Sequence, residues 1–158
     1  MPALHLADAA SILSAMAEPR IEIDENPDPA LREAILKPLR AFNESHVGAV
    51  VVEPLAITLR DPDTGAITGG LWGTSVARWL YVDLLVVPEE FRGRGLGTEL
   101  LCKAEEIARK RDCIALWLNT GTFQAPGFYE KRGFKAFGRV PDYPPGHDTI
   151  FFLKRLVS

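Results

Sequence analysis

The sequence predicts an α/β (α+β) fold in which helices flank one mixed sheet. Three observations predict it. Strand-like and helix-like apolar periodicities alternate in the order β, α-α, β, β, β, α, β, α, β, β. A hairpin signal leads into a β-α-β unit, and two further strands close the chain, a pattern that calls for one mixed sheet. The 158 residues, 47% hydrophobic and 25% charged, match the size and makeup of one globular domain with a substantial core.

The elements follow in order. Residues 1–19 mix Ala, Leu, Ile and Met without one clear period and read as an N-terminal arm or a short helix; the domain is expected over 20–158. "RIEI" (residues 20–23) alternates like a short strand. A helix is expected from Asp28, a good N-cap, and Pro29, a good first helical residue, with Leu31, Ile35, Leu39 and Phe42 at helical spacing. Pro38 falls inside that pattern, and the loss of its N–H predicts two helical pieces kinked near Lys37. Residues 55–60 and 67–74 flank the turn-rich "DPDTG" and read as a hairpin. "RWLYVDLLVVP" (residues 78–88) carries apolar residues at both parities, so a strand buried on both faces is expected, with Asp83 its only acid. Leu96, Leu100, Ala104, Ile107 and Ala108 mark an amphipathic helix ending in "RKR". Residues 113–119 form another apolar strand. Residues 125–132 form a short helix ended by Gly133, and "FKAFGRV" and "TIFFLKRL" are the last two strands.

Composition excludes several functions. The formal net charge of -3 gives no general attraction to nucleic acid or an anionic membrane. Cys102 and Cys113 lie in apolar-periodic segments and read as buried small side chains, not as a disulfide framework. His5, His46 and His147 lack metal-ligand spacing, so no metal is expected. No apolar run reaches the ~18–20 residues a membrane span needs. The first 20 residues lack a basic n-region, and Asp8 interrupts the apolar stretch, so a cytoplasmic location is expected.

"FRGRGLGTELL" (residues 91–101) lies between a strand and an amphipathic helix. A helix N-terminus offers free N–H groups to an anion, and Arg92 and Arg94 add charge. A P-loop requires Lys-Ser/Thr after its second glycine, which is missing here. A dinucleotide fingerprint requires G-x-G-x-x-G, but Thr98 stands at the third glycine position. A glycine turn without a ligand is the remaining plain alternative. The run Arg92-Gly93-Arg94-Gly95-Leu96-Gly97 fits R/Q-x-x-G-x-G/A, and "GFYEKRGF" (residues 127–134) follows after one helix and one strand. The two motifs together resemble the GNAT N-acetyltransferase superfamily, over roughly residues 20–156.

The resemblance implies a single GNAT-type domain. Its central sheet of about six to seven strands would be mixed but mostly antiparallel, with splayed central strands. It implies acetyl-CoA as co-substrate and direct acetyl transfer to a primary amine. By the same resemblance, backbone groups of Leu85, Val86 and Val87 would pair with the pantetheine arm. Backbone N–H groups across Arg92, Gly93, Arg94, Gly95, Leu96, Gly97 and Thr98 would hold the pyrophosphate, with Gly93 the most replaceable glycine. Tyr129 matches the tyrosine that protonates the departing thiolate; a tyrosine that only packs its helix is the alternative. Asp83 would take the amine's proton, directly or through water, or else serve as a hydrogen-bonded structural aspartate. Glu22, Asp24, Glu53, Asp142 and Asp148 are alternative acids. The family commonly has Asn three residues before Ala125; this chain has Thr122 there, and Asn119 stands close by as a substitute for the coenzyme contact.

Acceptor selectivity is expected from residues 30–46, with Phe42 and Asn43 turned toward the cleft, and from residues 141–148, with Tyr143 and His147. Aromatic groups beside acids suit a cationic amine, though a solvated loop would read the same way. A small-molecule amine is the expected acceptor. A protein or peptide amine, a longer acyl donor and a non-catalytic CoA-binding module are alternatives. Neither nucleic acid nor membrane is expected as a partner. The apolar end "TIFFLKRLVS" suggests strand pairing in a homodimer.

Overall fold

The computed structural model describes residues 18–156. Residues 1–17, most of the predicted arm or short helix, lie outside them. Residues 20–23 form no strand, so the sheet has six strands and not seven. Ile21 and Ile23 are exposed, and an alternating pair of isoleucines does not make a strand without a neighbour to pair with.

The described residues fall into two compact units, one up to His46 and one from Val47. In the first, helix α1 spans Pro29–Val47. Asp28 caps it, its carboxylate accepting the Ala30 N–H at 2.7 Å. The helix runs through Pro38 without dividing. The two expected pieces are one: proline removes a single intrahelical hydrogen bond, and the turns on both sides keep theirs.

The second unit holds the sheet: β1 (Val52–Arg60), β2 (Ile67–Val76), β3 (Trp79–Val86), β4 (Ala115–Gly121), β5 (Lys135–Val140) and β6 (Thr149–Arg155). Helix α2 (Leu96–Lys110) connects β3 to β4, and the short helix α3 (Pro126–Glu130) follows β4. The strand order is β1-β2-β3-β4-β6-β5. Only β3 and β4 are parallel; the other neighbours are antiparallel. This is the expected mixed, mostly antiparallel sheet. A crossover helix is what parallel neighbours require, and α2 supplies it.

Leu100, Leu101, Ala104 and Ala108 of α2 pack on Leu55, Leu71, Leu80, Val82, Leu116, Leu118 and Phe152 of the sheet. The 3.6-residue period of the helix and the 2-residue period of the strands converge on this one layer. Cys113 is buried in it, but Cys102 is exposed, because it falls on the solvent side of α2 beside the buried Leu101. Two corrections concern strands. β6 is paired on both edges, by β4 and β5, so it offers no free edge for pairing between copies. β3 is not buried on both faces along its length: Leu80 and Val82 are buried, whereas Asp83, Leu84 and Val86 are exposed. The reason lies in how β3 and β4 separate.

Candidate active site

The parallel pairing of β3 and β4 covers only four positions, from Trp79 opposite Ala115 to Val82 opposite Leu118. Beyond it the strands part. On its other side β3 stays paired to β2 through Val86, with one irregularity: Trp72 faces Leu84 and Gly73 faces Val82, so Asp83 is an extra residue in β3. A bulge of this kind bends a strand and increases its twist. It therefore accompanies the departure of β3 from β4. From Asp83 onward the β4-facing edge of β3 has no strand partner.

A cleft of about 810 Å³ opens where the strands part. Its walls are Val82–Val87 of β3 and the segment after it, 118–120 of β4, the loop and first turn of α2, and Phe123, Gln124, Phe128, Tyr129 and Arg132. The expected coenzyme residues Leu85, Val86, Val87, Arg92, Gly93, Gly95, Leu96, Gly97, Thr98 and Asn119 all line it, as do Asp83 and Tyr129. Arg94 does not line it; its guanidinium lies over the Phe91 ring at 5.3 Å.

The loop explains its sequence. A 3-10 turn over Glu89–Phe91 uses the Arg92 N–H as donor to the Glu89 carbonyl, so that N–H is engaged within the turn. The Arg92 side chain folds back, its Nε donating to the Val87 carbonyl at 3.2 Å. Gly93 and Gly95 have φ of +75° and +86°. The left-handed conformation is costly for other residues, so Gly93 is no more replaceable than Gly95. Gly95 is the N-cap of α2, and the first intrahelical bond runs from the Glu99 N–H to the Gly95 carbonyl. The N–H groups of Leu96, Gly97 and Thr98 are therefore without helical acceptors, an arrangement that suits an anion. Gly97 has a different reason for being glycine: a Cβ there would meet the Phe128 ring at 3.2 Å.

Arg132 is a residue the motif reading passed over. Its Nε and Nη2 both donate to the Thr98 hydroxyl, at 2.9 and 2.5 Å, and its guanidinium lies over Phe128 at 5.4 Å. It lies 34 residues from Thr98, and among the described residues it forms no ion pair. A cation beside the positive end of a helix is favoured by an anion between them. Its position in "YEKRGF" carries no fixed identity in the motif, so only the fold reveals it.

Tyr129 is 9% exposed, with its ring against Phe128, Phe134 and Phe152. Its hydroxyl has no hydrogen-bond partner in the protein among the described residues, and burial pushes the phenol above the ordinary tyrosine value. It is neutral and protonated at physiological pH. Asp83 is exposed at the bulge, so its charge is not a buried cost as the strand pattern implied.

Phe42 and Asn43 are on α1, where the Phe42 ring stacks near His46 at 4.4 Å. Tyr143 and His147 do not line the cleft; His147 sits 5.0 Å from Phe123, which does. Thr122 ties the corner after β4 to the last loop, exchanging backbone and hydroxyl hydrogen bonds with Asp148. Gln124 closes the same corner by accepting from Thr120 and Gly121 at 2.8 Å each. Among the alternative acids, Asp148 pairs with Arg139 at 3.3 Å, Asp142 accepts the Gly146 N–H, and Glu53 lies 3.9 Å from Arg111. Glu22 and Asp24 belong to the first unit. Among the described residues no helix is long and apolar enough to cross a membrane, and no group of three or more His, Cys, Asp or Glu is placed to hold a metal.

Comparison with known proteins agrees with this architecture. Residues 20–134 match the family described as the Acetyltransferase (GNAT) family. The chain is 39% identical to Acetyltransferase Atu2258 of Agrobacterium fabrum, over 81% of this chain and 93% of that one. It is 36% identical to Blasticidin-S acetyltransferase of Streptomyces morookaense, over 87% and 97%. The crystal structure of an Agrobacterium tumefaciens protein superposes with a TM-score of 0.81 at 36% identity, covering 87% of this chain and 99% of the other.

Proposed function

We propose, for a chain that belongs to the GNAT acetyltransferase family, that the cleft between β3 and β4 takes acetyl-CoA and that the acetyl group passes directly to the primary amine of a small molecule. The observation that carries the reading is the alignment of three features along one cleft. These are the unpaired edge of β3 from Asp83, the free N-terminus of α2 at Leu96, Gly97 and Thr98, and the phenol of Tyr129. An extended amide-bearing arm fits the first, a diphosphate the second and a leaving thiolate the third. At about 810 Å³ the cleft is within the usual range of ligand sites.

Acetyl-CoA supplies an acyl group activated as a thioester. The protein's part is positioning, carbonyl polarisation by a backbone N–H, and proton transfer. N–H groups of the α2 N-terminus and the guanidinium of Arg132 hold the diphosphate; Arg92 acts on the same end by pinning the loop. Leu85 and Val86 present backbone groups at the free edge of β3, and Val87 extends that wall. Asp83 receives the proton that the ammonium must lose before the nitrogen attacks, and Tyr129 gives its proton to the sulfur as the carbon–sulfur bond breaks. Neither cysteine is needed: Cys113 is buried, and Cys102 is not among the residues lining the cleft.

The choice of a small-molecule acceptor is supported by the relative named for blasticidin S, which matches this chain over most of both lengths. The test is calorimetric binding of acetyl-CoA to the wild type and to the double variant Arg92→Ala, Gly95→Pro. The wild type is expected to bind and the variant to lose binding while remaining folded by circular dichroism. Undiminished affinity in a folded variant would remove this loop from the site.

A further inference from the structure

The point where β3 and β4 part carries a group of side chains that the coenzyme does not account for. Tyr81 and Trp117 are directly opposite each other in the last paired stretch, with ring centroids 4.2 Å apart and planes tilted by 31°. Asp83 and Asn119 are the first residues past that stretch on each strand, and both line the cleft. The Asn119 amide nitrogen donates to the Tyr81 hydroxyl at 3.0 Å. That bond fixes the amide: its donor end is engaged with Tyr81, so its carbonyl oxygen Oδ1 is left as an acceptor. The Trp117 ring packs against the phenol ring. Among the described residues no cation pairs with Asp83.

We infer that Tyr81, Asp83 and Asn119 form the subsite that holds the acceptor's primary ammonium before transfer. The group offers a carboxylate and an amide oxygen beside an aromatic surface, and it has no free cation of its own. A primary ammonium, with one positive charge and three donors, complements it; a hydroxyl brings one donor and no charge, and a carboxylate is repelled. The desolvated phenol of Tyr81 is pushed above the ordinary tyrosine value, and the Asp83 charge contributes to that rise, which places the two side chains within electrostatic reach. Tyr81 and Asn119 are thus binding residues for the acceptor. Asn119 belongs to this side of the cleft and not to the coenzyme contact that the resemblance implies.

The inference rests on the acetyltransferase reading, and its test separates the two. The protein in complex with coenzyme A is titrated with 2-phenylethylammonium chloride and with its neutral isostere 2-phenylethanol, following tryptophan fluorescence. Coenzyme A affinity is measured on every variant. The ammonium is expected to bind at least ~10-fold more tightly than the alcohol, the equivalent of one charge-assisted contact. Asp83→Asn should erase that preference. Tyr81→Phe, which keeps the ring on Trp117, and Asn119→Leu should each weaken the ammonium about tenfold with coenzyme A affinity unchanged, one hydrogen bond to a charged group each. A wild type that does not bind coenzyme A overturns the functional reading beneath. A wild type that binds it but does not distinguish the two probes overturns the subsite alone, as do variants that keep the wild-type preference.

Discussion

Tyr129→Phe separates a proton donor from a packing residue. The ring is 9% exposed and held by Phe128, Phe134 and Phe152 at centroid distances of 5.1, 5.9 and 6.1 Å. Phenylalanine keeps those contacts. The hydroxyl has no protein partner, so its removal should leave stability within about 0.5 kcal/mol of wild type or raise it slightly. The catalytic effect has a ceiling. Burial holds the phenol above its ordinary value, so it is a weaker acid than its ordinary value would make it and gives up its proton less readily. General acid catalysis contributes about 10²–10⁴-fold, and this weaker acidity places Tyr129 near the lower end, so kcat should fall about 100-fold. Thiol release with any amine that the wild type acetylates gives kcat, and calorimetry gives acetyl-CoA affinity, which should change less than threefold (~0.6 kcal/mol). The phenol also leaves a mark on stability. Its folded value lies above the unfolded value near 10, so its contribution is whole below about pH 10 and is lost as pH rises through the folded value. The Tm curves of the two proteins should run in parallel up to that pH and separate above it, with the wild type falling faster. Unchanged kcat, or a loss of coenzyme affinity matching the loss of kcat, would refute the acid role.

Three further outcomes test other parts of the structure. Arg132→Gln should weaken acetyl-CoA binding by about 10-fold or more, the loss of one charge-assisted contact; unchanged affinity by calorimetry would mean that Arg132 only joins α3 to α2 through Thr98. Gly93→Ala should cost about 1–2 kcal/mol in denaturant unfolding, because its φ of +75° opposes a Cβ although the space around it is open. Glu105→Ala should cost about 2 kcal/mol in the same assay. That is less than for a fully buried pair, since its partner Lys154, 2.5 Å away, keeps a side-chain exposure of 25%.

Local chemistry wrote much of this fold legibly. The hairpin around "DPDTG" and the crossover helix from Leu96 appear where turn residues and apolar period placed them, whereas the helix expected over residues 125–132 ends at Glu130, and Gly133, with φ of +83°, closes the turn after it. The residues of the loop, Arg94 excepted, reach the cleft together because a strand end and a helix start fix both of its ends. What stayed hidden depends on pairing across the chain. Asp83 looked buried because its strand is apolar at both parities, but exposure follows from where β4 leaves β3, and no residue within β3 reports that. Arg132 with Thr98, and Asn119 with Tyr81, are contacts across 34 and 38 positions, invisible to any local period. Residues 20–23 show the opposite error: alternation is necessary for a half-buried strand, yet a strand exists only with a partner edge. Pro38 shows that a lost hydrogen bond need not end a 19-residue helix.

The most direct test of the central claim is amine-dependent acetyl transfer by the intact protein. Acetyl-CoA is incubated with a panel of small primary amines that includes blasticidin S, and free thiol is followed while mass spectrometry detects the acetylated amine. The account predicts that at least one amine gains one acetyl group for each thiol released, at a rate proportional to enzyme and reduced about 100-fold, the general-acid share, by Tyr129→Phe. Tight acetyl-CoA binding with no thiol release above the enzyme-free rate for any amine would contradict it and leave a coenzyme-binding module in its place.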